Sequence, residues 1–218
     1  MKMKSLIIYG TGAIAEVAEF YFRRDSERQI AAFTNAGEYI SQDRFLDHAV
    51  YPFETIEKLF PPEEFDIFIA IGYKKTNQLR RSRFLEAKAK GYSCASYIST
   101  KASYFGNSYG ENCLVLENNV IQPYVTLGNN VFLWSGNHVG HHSKICDHSF
   151  VSSHVVISGN CIIGQCAFLG VNATLRDNIV LGDYCVISPG AVVMENCQDR
   201  SVVTAPKSEV RLIKRDVI

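Results

Sequence analysis

Residues 139–157 read Val139-Gly140-His141-His142-Ser143-Lys144-Ile145-Cys146-Asp147-His148-Ser149-Phe150-Val151-Ser152-Ser153-His154-Val155-Val156-Ile157, and a large aliphatic residue returns at every sixth position. Followed outward, the count runs without insertion through Tyr109, Val115, Ile121, Leu127, Leu133, Val139, Ile145, Val151, Ile157, Ile163, Leu169, Leu175, Leu181, Ile187 and Val193. Only the first of these is not aliphatic. Four places after most of them stands a small or compact residue, as at Cys113, Val125, Ser143, Ser149, Cys161, Ala167, Ala173, Cys185 and Ala191. A sustained six-residue period is the mark of a parallel β-helix. Neither the 3.6-residue helical period nor simple strand alternation produces it. Each hexad forms one flat side of a triangular coil, so residues eighteen apart stack, giving interior columns such as Val115, Leu133, Val151, Leu169 and Ile187. Asn119 and Asn137 fall in one such column, next to His138, as a buried polar ladder.

Composition narrows the function classes. Lys plus Arg equals Asp plus Glu, 22 each, so no net field attracts nucleic acid or a membrane surface. No apolar stretch approaches a bilayer span. The Met-Lys-Met-Lys start runs into Leu6-Ile7-Ile8-Tyr9 and glycines rather than a signal-type apolar region, so a cytoplasmic location is expected. Seven cysteines without a CxxC pair suit a reducing compartment. Cys113, Cys161 and Cys185 read as compact core fillers.

Residues 1–99 have another pattern and are expected to form a small α/β domain, Rossmann-like with a parallel sheet. The coil is assigned to 100–203 and a tail to 204–218. Leu6–Tyr9 leads into Gly10-Thr11-Gly12. Ile14, Val17, Ala18 and Tyr21 then mark one face of a helix. Ile30–Phe33 reads as a second strand, Asp66–Gly72 as a third and Cys94–Ile98 as a fourth, with Thr76 capping and Gly91 ending the helix between the last two. A strand, glycine turn, helix and strand open a dinucleotide-type domain. The glycine fingerprint is incomplete, with Ala15 at the third position. Free N–H groups from Gly12 to Ile14 offer an anion site, and Asn35 lies where a ribose or base is met. Gly72 and Tyr73, with Asn77 and Arg80 on the next helix, are further candidates for ligand contact. About one hundred residues is short for a two-halved dinucleotide fold, which favours a mononucleotide over NAD.

His138, His141, His142, His148 and His154 cluster within one stretch. Metal binding is disfavoured, because a step of six moves to the next side of the triangle, and Pro123 and Gly159, not histidines, flank His141 at eighteen. His148 and His154 read as outward imidazoles at a subunit contact. An imidazole in a cleft between coils titrates near neutrality and can take a proton from an attacking amine or hydroxyl, which makes His141 or His142 the catalytic candidate. Cys146 is a rival nucleophile.

Val139-Gly140, Ile163-Gly164, Leu169-Gly170 and Leu181-Gly182 match the opening pair of a hexapeptide motif, and the repeats resemble those of the left-handed β-helix acyltransferases. Coil and N-terminal domain together resemble the NeuD/PglD-like sugar acyltransferases over essentially the whole chain. That resemblance implies a left-handed coil, a homotrimer and acetyl-CoA as co-substrate in the groove between neighbouring coils, with no metal. It puts His141 at the general-base position and His142 where an acidic residue commonly follows, leaving Asp147 as a candidate orienting partner. Phe150, Gly159, Val171 and Pro189, with Ala205 and Lys207 in the partial ending Thr204-Ala205-Pro206-Lys207, match cofactor-contacting stretches. Thr11, Gly12, Ala13 and Asn35 fall at nucleotide-contacting positions, although the family's Ser-Gly-His-Gly loop reads Thr11-Gly12-Ala13-Ile14 here. The implied activity is direct acetyl transfer to the amino group of a nucleotide-linked deoxysugar. The alternatives are sugar O-acetylation and a non-catalytic scaffold that binds nucleotide sugars.

Overall fold

A computed structural model describes residues 4–208; residues 1–3 and 209–218, which hold the basic run from Arg211 to Arg215 and most of the 204–218 tail, lie outside the described residues. The chain opens with β1 (Ser5–Tyr9), α1 (Ala13–Asp25), β2 (Ile30–Asn35), β3 (Arg44–Phe45), β4 (His48–Pro52), β5 (Phe65–Ile69) and α2 (Gln78–Ala89). Sheet order is β3-β4-β2-β1-β5, parallel except for β3. The central strand β1 is apolar on both faces because both are covered. Leu6 and Ile8 face α1 and the coil, while Ile7 and Tyr9 face Phe53, Ile56 and Phe84.

Several sequence expectations need adjusting. The third strand ends at Ile69 rather than Gly72. The Cys94–Ile98 segment is divided: Cys94 bridges to Ile67 at the edge of the sheet, and Tyr97–Ile98 pairs with Leu114–Val115 as the first rung of the coil. Thr76 does not cap α2. The cap position is Asn77, reached through three successive left-handed residues, Lys75, Thr76 and Asn77. Gly91 does end the helix: at φ +92 its N–H reaches Lys88 O while that of Tyr92 reaches Ala87 O, a Schellman closure.

From Tyr97 onward, short strands stack with the eighteen-residue register read from the hexads, as in Phe132↔Phe150 and Leu133↔Val151. Three parallel sheets form a left-handed triangular prism. Wall 1 carries Leu114–Val115, Phe132–Leu133, Phe150–Val151 and Phe168–Leu169; wall 2 carries Val120–Ile121, His138–Val139, Val156–Ile157 and Thr174–Leu175; wall 3 carries Thr126–Leu127, Lys144–Ile145, Ile162–Ile163 and Val180–Leu181. The interior is the aliphatic column set with its small partners. Asn119 and Asn137 are buried as expected: both amides donate to Trp134 O, and Asn137 Oδ1 accepts from Val155 N–H at 2.8 Å.

The N-terminal domain lies on wall 1. Ala15, Ala18 and Phe22 of α1 pack with Leu114, Leu116, Phe132 and Phe150. The seam closes on Arg80, which is 0% exposed. Its Nε donates to Asn130 Oδ1 at 3.1 Å, Nη1 to Asn77 Oδ1 and Gly72 O, and Nη2 to His148 O at 2.8 Å and Ser149 O at 3.2 Å. The guanidinium also stacks 4.4 Å from the Phe132 ring centre. Burial pulls it down to about 9, and carbonyl and amide oxygens rather than a carboxylate hold it. Asn77 gives its amide to Cys166 O and Ala167 O, both at 3.0 Å. Asn77 and Arg80 therefore join the two parts of the chain and are not ligand contacts. His148 is likewise not at a subunit contact. It is buried under Phe84 of its own chain, with Nδ1 2.9 Å from Asn130 Nδ2.

Replacing Arg80 with Ala strands at least Asn77 Oδ1 and His148 O, and should lower stability by about 3–5 kcal/mol. Urea unfolding measures this, and an unchanged midpoint would contradict the seam. Burial lowers the His148 imidazole to about 4, against about 6.5 for an unfolded chain. The unfolded state therefore binds the extra proton first, and stability falls as pH drops from about 6.5 toward 4. A His148→Asn variant should lose less stability between pH 6.5 and 5 than the parent in the same unfolding experiment.

Candidate active site

Each prism edge is a tight turn whose second residue has positive φ. At the edge between walls 2 and 3 these residues are Tyr124, His142, Asn160 and Asn178; between walls 3 and 1, Asn112, Asn130, His148, Cys166 and Tyr184; between walls 1 and 2, Asn118, Gly136, His154, Asn172 and Gly190. Left-handed backbone is tolerated best by Gly and next by Asn, Asp and His. The apparent ladder of His142, His148 and His154 is this requirement repeated once per edge. The three rings lie on three different edges, and among the described residues no group of three His, Cys, Asp or Glu side chains converges to hold a metal.

His141 is different. It is the first residue of its turn, is exposed, and stands on the edge opposite wall 1. Its backbone N–H donates to Gln122 Oε1 at 2.9 Å, and its ring stands over Gly159, one rung up. A methyl on Gly159 would come within 2.8 Å of His141 Cε1 and 2.9 Å of Nε2. His141 Nδ1 faces His142 Nδ1 at 3.1 Å with the rings nearly perpendicular, and the His142 ring leans on Tyr124, 4.6 Å between centres. The Gly159 N–H makes no hydrogen bond among the described residues, leaving a donor free beside the imidazole.

Asp147 does not orient His141. It sits on the edge between walls 3 and 1, where Oδ1 accepts from Asn129 N–H at 2.8 Å. Cys146 precedes it on that edge, half-buried, and burial pushes its thiol up, away from the nucleophilic thiolate. His154 is an exposed ring packed against Gly136 on the third edge.

Among the cofactor candidates, Phe150 is misassigned. It is 2% exposed on wall 1, enclosed by Phe132, Trp134, Phe168, Tyr73 and Arg80. Gly159 belongs to the His141 edge. Val171 and Pro189 stack on the edge between walls 1 and 2, where Gly190 N–H reaches Val171 O. Pairing of Val203 with Ile187 carries Ala205 and the exposed Lys207 onto the same edge. Wall 2 lies between these two groups and presents Val120, Val156 and Val192 to solvent.

The substrate candidates converge. Thr11, Gly12, Ala13, Asn35, Gly72 and Tyr73 follow the C-terminal ends of β1, β2 and β5, where the sheet order turns back and α/β folds bind ligands. Asn35 Nδ2 donates to Thr11 Oγ1 at 3.1 Å, joining two of them. Gly10 has φ +121, and a side chain there would meet Ala70 O at 2.9 Å, so this turn needs glycine. Gly12 precedes α1 without a capping side chain and has open space around it, so the first N–H groups of the helix face outward. Tyr73 is exposed above Phe150 and Phe168. Beside this group, Gly37, Ser41, Gln42 and Asp43 line a depression of about 390 Å³. Sequence reading missed it because the 37–43 connection between β2 and β3 that lines most of it has no periodic pattern.

The sequence model of the bacterial transferase hexapeptide (six repeats) family matches residues 124–159 and 160–194. No curated protein matches the sequence. Among solved structures, the acetyltransferase domain of PglB from Neisseria gonorrhoeae FA1090 has a TM-score of 0.81 at 22% identity, covering 92% of this chain and 96% of that one. A histidine-to-asparagine variant of perosamine N-acetyltransferase from Caulobacter crescentus, in complex with CoA and GDP-perosamine, gives 0.84 at 20% identity over 94% and 99%. WeeI from Acinetobacter baumannii AYE gives 0.69 at 18% identity over 93% and 97%. The chain thus carries bacterial transferase hexapeptide repeats within a fold shared, end to end, with these proteins, as its resemblance to the NeuD/PglD-like sugar acyltransferases implied.

Gly159→Ala should leave the coil within about 0.5 kcal/mol of the parent while displacing the His141 ring, since only an exposed side chain must give way. Gly140→Ala would press against the Gly159 and Ser158 backbone at 2.5 Å and should destabilise clearly. Thermal unfolding separates the two, and the His141 Cε1–H resonance should move in the first. Equal stabilities, or an unmoved resonance, would contradict this packing.

Proposed function

We propose that the protein is an acetyl-CoA-dependent N-acetyltransferase acting on the amino group of a nucleotide-linked deoxysugar. The observation that carries this reading is His141, an exposed imidazole on a hexapeptide edge, with a free backbone N–H beside it. That fold is the one in which perosamine N-acetyltransferase holds CoA and GDP-perosamine. The α1 N-terminus and the Thr11–Asn35 pair receive the nucleotide diphosphate and ribose, and the neighbouring depression suits the base.

His141 Nε2 removes a proton from the neutral sugar amine as its nitrogen attacks the thioester carbonyl. The Gly159 N–H steadies the tetrahedral oxyanion. Collapse breaks the C–S bond, and the departing thiolate takes the proton from His141, giving amide and free CoA. A positioned base supplies about 10²–10⁴-fold, and holding both substrates at contact distance supplies much of the rest.

Within one chain the N-terminal domain lies on wall 1 and His141 on the opposite edge, so a ligand held at Gly12 cannot meet its own chain's base. Walls 2 and 3 both flank the His141 edge and expose Val156, Val192, Ile162 and Val180. A homotrimer that pairs these walls sets the base of one copy against the N-terminal domain of the next, with acetyl-CoA along the groove.

Purified protein supplied with acetyl-CoA and UDP-, GDP- or dTDP-linked amino sugars, beside their hydroxy analogues, should release thiol with an amino sugar. His141→Asn should lower kcat about 10²–10⁴-fold while CoA still binds. Turnover of hydroxy sugars alone would redirect the reading to O-acetylation. Absence of CoA binding by calorimetry would favour the scaffold.

A further inference from the structure

We infer that His142 is a positioning residue that selects the tautomer of His141. The kinetic consequence of this inference rests on the acetyl-transfer reading above; its structural consequence does not.

The two Nδ1 atoms are 3.1 Å apart, so a single proton lies between them. Two neutral arrangements satisfy that contact. In one, His141 Nδ1–H donates to His142, and the lone pair of His141 is at Nε2, on the Gly159 side. In the other, His142 donates, and His141 Nε2 carries the hydrogen. Only the first leaves a base where a substrate can reach it. Both rings are fixed well enough for this choice to matter. His142 is held by its left-handed backbone at φ 58, its N–H to Pro123 O and its contact with Tyr124. His141 is held by Gln122 and by the backbone of Gly159 beneath it.

An imidazole partner behaves differently from a carboxylate. A carboxylate accepts from Nδ1–H throughout the neutral range. His142 is an acceptor only while it is neutral; once protonated it donates to His141 Nδ1 and leaves the hydrogen of His141 on Nε2. One proton added to the pair therefore removes the base, whichever ring holds the charge. A second proton is opposed by the first. Other titratable and charged groups near this edge are Tyr124 one rung below, Lys144 two residues on, Asp177 two rungs above His141, and His138 and Arg176 on wall 2. Among the described residues, no carboxylate forms an ion pair with either ring.

The test is long-range ¹H–¹⁵N NMR on the full chain without substrate, in the parent, His142→Ala and His142→Asn. Asn tolerates the left-handed turn, and its Oδ1 can stand where His142 Nδ1 does. The parent and the Asn variant should show His141 protonated at Nδ1, and the Ala variant should shift toward the Nε2–H form. In kinetics, His142→Ala should lower kcat about tenfold with both KM values unchanged, and Asn should restore most of it. An Ala variant with the parent's tautomer spectrum and kcat would overturn the inference. If His141→Ala remained fully active, the base assignment would fail, and the tautomer spectra would still decide the coupling between the rings.

Discussion

Fourteen successive turns, from Asn112 to Gly190, place every sixth residue in left-handed backbone. For most side chains that conformation costs on the order of 1–2 kcal/mol, so it persists only where each turn is repaid by stacking. The return is visible along the coil: an aliphatic residue enters the core, a small one at most hexads fills the space beside it, and strand groups pair one coil away. The six-residue period and the identity of the turn residues are two aspects of one constraint. Asn and His recur at the edges because few other residues accept the turn.

That constraint also shapes the chemistry. At the second turn position the His142 ring leans back on Tyr124, whereas at the first position the His141 ring reaches over Gly159. Glycine one rung up then clears space for it. Wall 1 is consumed by the N-terminal domain, and Arg80 locks that contact through oxygens from both parts of the chain. Fixing the domain there separates its glycine turn from its own His141 and makes a second copy part of the proposed site.

The coil was legible in the sequence because its signal repeats, and one interruption would have been seen. The glycine turn of the N-terminal domain, with Thr11, Gly12 and Asn35, was legible because the elements around it are local. Arg80 was not, since its acceptors are mostly backbone carbonyls from distant segments, and a carbonyl has no letter in a sequence. Phe150 was misread for a related reason. Hexad position shows whether a residue points into the coil, but not which outward wall another domain will cover. The His141–His142 contact lay between these cases. The two residues were singled out, but their facing Nδ1 atoms depend on the left-handed turn at His142, which the sequence did not announce.

The proposed site is assembled from two copies, and a mixing experiment tests this directly. A His141→Ala protein lacks the base, and a Gly12→Asp protein sets a carboxylate where the phosphate should bind. Each should be inactive alone. After the two are unfolded together and refolded in equal amounts, random assembly gives about a quarter of the sites an intact base and an intact nucleotide turn. Recovery of acetyl transfer near that fraction of the parent rate is the predicted result. A mixture of confirmed hybrid oligomers that stays as inactive as its components would contradict it.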